Sequence, residues 1–381
     1  MDRHSGGRVG RVREAAVRAA AAAQNVEDFF DGVVRAVAPV LRFDVWAGVT
    51  VDPATLMNTG GNYRDAVPER LMPRMLDIEY REGDVNLLPD LARRPVPVGL
   101  LSREAGDRLE HSPRYRDIVR PLGYRDELRV LLRDRHGSWG ALVLGRGRDA
   151  PAFGDADIAV AGALAQPLGD ALRRLHLTQR AREEPPATAP GLILLGDDYR
   201  VLHLTPAVAL WFEELGGPDG GAARDGLPPA VYAVAAAVRT PVAAGSLTSW
   251  AHTRTRGPVR LHAWCLGDRS PVRIAVAVEP ARPSERTSFL ITAYGLTPRE
   301  RAVTELVLRG HSTADIGRRA GLSPHTVQDH LKAVFDKTGV RSRRDLVAKL
   351  FARHYLPALR HGAGGFGDSP APSDTPSGAS G

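Results

Sequence analysis

Near the C-terminus, a run opening at Ser323-Pro324 carries side chains that could meet a polyanion in an ordered way. Val327, Leu331, Val334 and Phe335 recur at i, i+4, i+7 and i+8, the period of a helical stripe turned toward a core. The opposite stripe holds His325, Gln328, Asp329, Lys332 and Asp336. Amide, carboxylate and ammonium groups of this kind read the edges of base pairs. Gln can pair bidentately with adenine, and Asp can accept from the cytosine amino group.

Such a stripe works only if other elements hold it. Thr297-Pro298-Arg299-Glu300 predicts a helix start, with Thr as cap, Pro at the first position and Glu three residues after the cap. Ala302, Val303, Leu306 and Val307 form the inner stripe of that helix, and Gly310 ends it. Ser312 or Thr313 caps a second helix with Ile316 and Ala320 inward, stopped by Gly321. Ser323 caps the third helix and Gly339 ends it. Ser342 and Asp345 open a fourth, with Leu346, Val347, Leu350 and Phe351 on one side. The second and third helices are joined by Ala320-Gly321-Leu322-Ser323, the short Gly-containing turn of a helix-turn-helix. In that geometry the third helix enters the major groove of double-stranded DNA, its N-terminal half closest to the bases.

Charge agrees with this partner. Leu296–Leu356 holds twelve Lys/Arg against six Asp/Glu, so most of the net charge of +7 sits on about a sixth of the chain. A basic module on a near-neutral body points to a polyanion. Cys265 is the single cysteine, which excludes an internal disulfide and thiolate metal clusters. No apolar run reaches the roughly 18 residues needed to span a bilayer, so no membrane association and a cytoplasmic location are expected.

The residues from Leu296 to Leu346 resemble the C-terminal DNA-binding domain of LuxR-type transcription regulators. Leu296-Thr297, Arg299-Glu300, Ile316, Ser323, Thr326-Val327 and Lys337 fall where that family has its spaced motifs. The resemblance implies that His325, Gln328, Asp329 and Lys332 face the bases. It places Thr313, Thr326, Lys337, Arg341, Ser342 and Arg343 near phosphates. It makes the fourth helix a dimerisation face, with Leu346, Lys349 and Leu350 near the two-fold axis of a homodimer on DNA. The chain departs from the pattern at Gln328, where the family usually has Lys, at Gly317 for Ala, and at Thr338 for Leu. The first departure predicts weaker nonspecific binding. The other two predict slightly softer packing.

Upstream, residues 1–11 read as a loose basic arm and Val12–Leu41 as a helix with Phe29, Val33, Val34, Val37 and Val40 on one stripe. Phe43–Val51 reads as a strand, with residues 54–60 as its partner. Residues 68–122 are charged and Pro-broken, with helical pieces near 68–80 and 112–120. Glu127–Arg133 and Trp139–Gly145 form a hairpin, and Phe153 to Arg180 a long helix through Pro167. This order is similar to a GAF domain. After a Pro-rich linker, strand, turn, strand, two helices and three strands follow from Gly191 to Val278. With Asp197, Val201, Pro206 and Ala207 at their spacing, this part resembles a small PAS domain.

The expected fold is therefore two α+β sensor domains with antiparallel sheets, GAF-like then PAS-like, followed by an all-α four-helix helix-turn-helix domain. The expected boundaries are an arm and helix start at 1–25, domains at 26–180 and 191–282, linkers at 181–190 and 283–294, the helix-turn-helix at 295–356 and a disordered tail at 357–381.

Other chemistry fails on spacing. His325 and His330, five apart, do not share a helix face as a metal pair would. Gly145-Arg146-Gly147 lacks the rest of a phosphate loop. Asp197-Asp198-Tyr199-Arg200 reads as a hairpin turn, and His262, Trp264 and Cys265 as two faces of a strand. No catalytic constellation can be assembled, so no enzyme, cofactor or metal is expected. The expectation is a sequence-specific DNA-binding regulator whose upstream domains take a small molecule or a protein partner. The alternatives are an adaptor whose helix-turn-helix docks on protein, and a DNA-targeted enzyme.

Overall fold

The computed structural model describes residues 3–63, 67–179, 189–216, 226–254, 257–267, 272–281 and 294–354. Most of the expected linkers at 181–190 and 283–294, and the expected tail at 357–381, lie outside them. The chain divides near Arg301 into two compact units.

The first unit opens with α1 (Arg3–Ala22) and α2 (Val26–Leu41). The expected loose arm is thus helical from Arg3, and the expected single helix is two. Asn25 makes the break: its backbone is extended and its side-chain oxygen accepts from the Asp28 N–H at 2.8 Å. That satisfies one of the orphan donors of a new helix start. Phe29, Phe30, Val33, Val34 and Val37 are buried on the inner face of α2.

A five-stranded antiparallel sheet follows, in the order β2-β1-β5-β4-β3. Its strands are β1 (Val45–Val51), β2 (Asn58–Asn62), β3 (Val98–Leu100), β4 (Tyr124–Asp134) and β5 (Gly137–Gly147). Short helices α3 (Met72–Asp77), α4 (Leu88–Arg93) and α5 (Leu101–Ala105) lie between β2 and β4 in sequence. The β4–β5 hairpin is locked by Asp134. Its Oδ1 accepts from the His136 and Gly137 N–H groups and from the Trp139 indole, and its Oδ2 from Arg173 on α6 (Asp155–Gln179).

Alternation along the strands sorts this sheet into two faces. Leu128, Val130, Leu132, Leu142 and Leu144 pack with α2 and with Ala161, Leu164, Leu168 and Leu172 of α6. Gly48 lies on the same face, where a Cβ would fall 2.2 Å from the Phe30 ring, so glycine is required for that close approach. The other face carries Ala47, Val49, Glu127, Arg129, Ala141, Val143 and Gly145, and lines a cavity.

The second sheet, in the order β7-β6-β10-β9-β8, is also antiparallel. It comprises β6 (Gly191–Leu195), β7 (Val201–Leu204), β8 (Ser246–His252), β9 (Pro258–Leu266) and β10 (Arg273–Pro280). Its core face meets α7 (Val208–Glu214) and α8 (Pro229–Ala237). Residues 229–236 of α8 are all buried, as a helix apolar on every side must be. The core beneath it also includes Met72 and Leu76 of α3. The 197–200 segment is a hairpin turn, with Tyr199 at φ +62° and its hydroxyl donated to Asp77. His262 and Trp264 share a face and stack at 3.9 Å. Two antiparallel-sheet α+β parts therefore precede the helical one, as expected.

The helical part comprises α9 (Pro298–Leu308), α10 (Thr313–Ala320), α11 (Pro324–Thr338) and α12 (Arg343–His354). Val303, Val307, Ile316, Val327, Leu331, Val334, Leu346 and Leu350 are buried. Among the described residues, no helix is long and apolar enough to cross a membrane.

Candidate functional site

Each helix of the C-terminal part begins at a side chain that satisfies an orphan N–H. Thr297 and Glu300 bond reciprocally, the Thr297 N–H donating to the Glu300 carboxylate at 2.8 Å. Ser312 and Asp315 form a second capping box. The Ser312 hydroxyl is the main reason the Asp315 carboxyl is held below its ordinary range. Ser323 accepts from the Thr326 N–H at 3.1 Å, and Ser342 from the Asp345 N–H at 3.0 Å. Gly321 and Gly339, at φ +65° and +67°, stop α10 and α11 in the left-handed conformation.

Gly317 corrects one expectation. It is buried, and a Cβ there would lie 2.8 Å from the Leu322 carbonyl oxygen. The Leu322 N–H in turn donates to the Gly317 carbonyl at 2.9 Å. Glycine at this position closes the turn tightly instead of softening the packing. Thr338 is buried as well, and its hydroxyl is satisfied by the Val334 carbonyl at 2.7 Å.

The turn presents α11 with His325, Gln328, Asp329 and Lys332 all exposed, while Val327, Leu331 and Val334 anchor its back. His325 Nδ1 lies 3.1 Å from Asp329 Oδ2. One lysine thus stands among Asp329, Asp336 and neutral polar groups on the exposed stripe.

The residues expected near phosphates differ in exposure. Arg341 is exposed, and Thr313 and Lys337 are half-buried. Thr326, Ser342 and Arg343 already hold internal bonds: Thr326 to the Ser323 hydroxyl, Ser342 as a cap, and the Arg343 guanidinium to the His311 carbonyl.

Of the expected dimerisation residues, Leu346 and Leu350 are 0% and 2% exposed, so both belong to the core of their own domain. Every third or fourth residue of a short helix must seal its own core, and on α12 these two do so. Lys349 is half-buried and donates to the Thr338 carbonyl. Arg344, Asp345 and Ala348 are exposed on the same helix; the side chains of residues 351–354 lie outside the described residues.

A second site was not read from the sequence. The cavity on the free face of the first sheet holds about 790 Å3 of atom-free space, open solvent at its mouth included. Its floor is β1, β4 and β5, and its roof includes Met75, Leu76, Glu79, Tyr80, Ile118 and Val119. Four charged side chains meet at its wall. Glu79 Oε2 accepts from Arg114 at 2.8 Å and from Arg129 at 2.9 Å, and Arg129 Nε lies 2.9 Å from Glu127. Burial alone would raise the Glu79 carboxyl, but Arg129 and Arg114 outweigh it and hold the group below its ordinary range. Burial, with Arg129 adding to it, lowers the Arg114 guanidinium. Burial holds the Asp126 carboxyl high, although it accepts from the Ser102 N–H, the Ser102 hydroxyl and the Glu127 N–H. The one local signal was Glu127 and Arg129 alternating with Leu128 and Val130. It marks a strand face that is polar without saying whether that face meets water or a cavity.

Residues 295–350 match the family described as bacterial regulatory proteins, luxR family. The C-terminal part is a luxR-family helix-turn-helix domain. Putative HTH-type transcriptional regulators of Mycobacterium bovis and Mycobacterium tuberculosis are 40% identical over 85 residues, 22% of this chain. The match covers 10% of the length of those relatives. Among solved structures, Escherichia coli SdiA aligns over 91% of this chain and 97% of its own, at 13% identity and a TM-score of 0.35. The phage VqmA–DPO complex aligns over 50% of this chain and 95% of its own, at 16% identity and a TM-score of 0.18.

Proposed function

We propose that this chain is a sequence-specific DNA-binding transcription regulator, cytoplasmic and without catalytic activity, whose upstream sheets sense a signal. The observation that carries the reading is the capped helix α11, anchored by a buried stripe and exposing His325, Gln328, Asp329 and Lys332 within a luxR-family domain. In this reading α11 enters the major groove. Lys332, Gln328 and Asp329 meet base edges, and Arg341 and Lys337 meet phosphates together with Thr313, Thr326, Ser342 and Arg343. Two copies act as a homodimer on a two-fold related site, through the outer face of α12 around Lys349. The functional parts in this reading are residues 26–180, 191–282 and 295–356.

The upstream sheets support control in a physical sense. Leu76 of α3 both lines the cavity of the first sheet and belongs to the core of the second. A molecule that fills the cavity acts on a helix shared by both. It shifts the population only by as much as it prefers one arrangement over the other.

The test is a selection of bound DNA sequences with the full chain, followed by footprinting. Recovery of a defined motif, lost with Lys332→Ala and Gln328→Ala together, is the expected result. Absence of any enriched motif, or unchanged affinity and preference in both variants, would overturn the reading.

A further inference from the structure

We infer that the cavity on the free face of the first sheet binds a planar, uncharged aromatic molecule that carries a carbonyl acceptor. The inference names the ligand class of the sensing unit and rests on the reading of that unit as a sensor.

Shape is the first argument. Ala47, Ala141 and Gly145 give the sheet floor little relief, and Tyr80 and Tyr124 stand among the walls. A flat floor of short side chains bordered by aromatic rings suits a flat ring system, which gains from offset or edge-on contact.

Hydrogen bonding is the second. The Arg114 side chain is 1% exposed and donates to Glu79 at 2.8 Å. Among the described residues its Nε lacks a hydrogen-bond partner, the Glu127 carboxylate lying 3.8 Å away. A buried donor without an acceptor is costly, and a ligand acceptor relieves it. Tyr80 adds a donor, since its hydroxyl accepts from the Asn58 N–H at 2.7 Å and keeps its own proton to give.

Charge is the third argument, and it selects among acceptors. Glu79 and Glu127 face Arg114 and Arg129, so two carboxylates already balance two guanidiniums. An anionic ligand would upset that balance in a desolvated place. A cationic one would do the same and would find Glu79 already committed, accepting three bonds. A neutral carbonyl meets the donors without burying a new charge.

The experiment uses the full chain without DNA and three naphthalenes of matched shape: 2-acetylnaphthalene, 2-naphthoate and 2-(aminomethyl)naphthalene. Equilibrium dialysis reads binding of each. The ketone is expected to bind, and the anion and cation to bind at least about tenfold more weakly, because each must bury a charge. Val143→Phe, which fills the cavity from the floor, is expected to abolish ketone binding. Tyr80→Phe, which removes one hydroxyl and keeps the fold, is expected to weaken it by roughly threefold to tenfold. The inference is overturned if no ketone binds, if either charged analogue binds as well as the ketone, or if neither variant changes ketone binding. A gel shift on the same samples separates the two readings. DNA binding without ketone binding leaves the regulator reading standing, and ketone binding without DNA binding leaves the cavity standing.

Discussion

Arg114 and Glu79 meet at 2.8 Å, with the arginine side chain 1% and the glutamate side chain 5% exposed. They come from segments 35 residues apart in sequence and join the roof of the cavity to its wall. Two ions sealed from water must be paired, and losing one leaves the other uncompensated.

Glu79→Gln is therefore expected to destabilise the first unit by about 3–5 kcal/mol near neutral pH. The pH dependence has a definite sign. The Glu79 carboxyl is held below its ordinary range in the folded chain. Its contribution is then fully present above the unfolded carboxylate range and is lost as pH falls through the folded value. Urea unfolding of wild type and Glu79→Gln from about pH 7 down to about pH 3 should show the gap between them narrowing with acid. A constant gap would remove the charge from the explanation.

Arg341, just beyond the end of α11, is exposed. Arg341→Ala should weaken DNA binding and reduce the slope of log affinity against log salt by about 1. Asp329→Asn should instead alter preference at a single base position, by about 1–3 kcal/mol of discrimination. Salt titrations and repeated sequence selections on the two variants check both. Equal effects of the two substitutions on salt slope would contradict this division of roles.

Gly317→Ala tests the tight turn. Its new Cβ would meet the Leu322 carbonyl oxygen at 2.8 Å, and backbone cannot swing aside as a side chain can. The helix-turn-helix should lose about 1–3 kcal/mol in chemical denaturation, the usual range for overpacking. A gain in stability, as expected of Gly→Ala within an unconstrained helix, would show that the turn relaxes freely.

Leu346→Ala tests whether α12 seals its own domain. With Leu346 fully buried, a loss of about 2–5 kcal/mol is expected, from transfer and cavity terms. The loss should not depend on protein concentration. A concentration-dependent change would return Leu346 to a subunit interface.

Much of the C-terminal module is legible without coordinates, because its signals are local. Thr297, Ser312, Ser323 and Ser342 each cap within three residues, and Gly310, Gly321 and Gly339 each adopt a positive φ where a helix ends. The inner stripe of α11 follows from the helical period alone. The antiparallel hairpins of the two sheets are legible for the same reason, since strand, turn and strand are neighbours in sequence.

What the sequence by itself determined about this protein is the four C-terminal helices, the sheet hairpins and the residues that α11 exposes. Tertiary structure alone decided which side of each exposed or buried pattern meets what. The apolar stripe of α12 reads equally as core or as a dimer face, and only packing makes Leu346 and Leu350 core. Glu127 and Arg129 read as an ordinary polar strand face, and only the arrival of Glu79 and Arg114 from the 68–122 region turns that face into a cavity wall. The physical reason is range. Caps and periods act over three or four residues and are written in the order of the chain. Charge pairing and cavity shape depend on segments that meet in space, and no local pattern records the meeting.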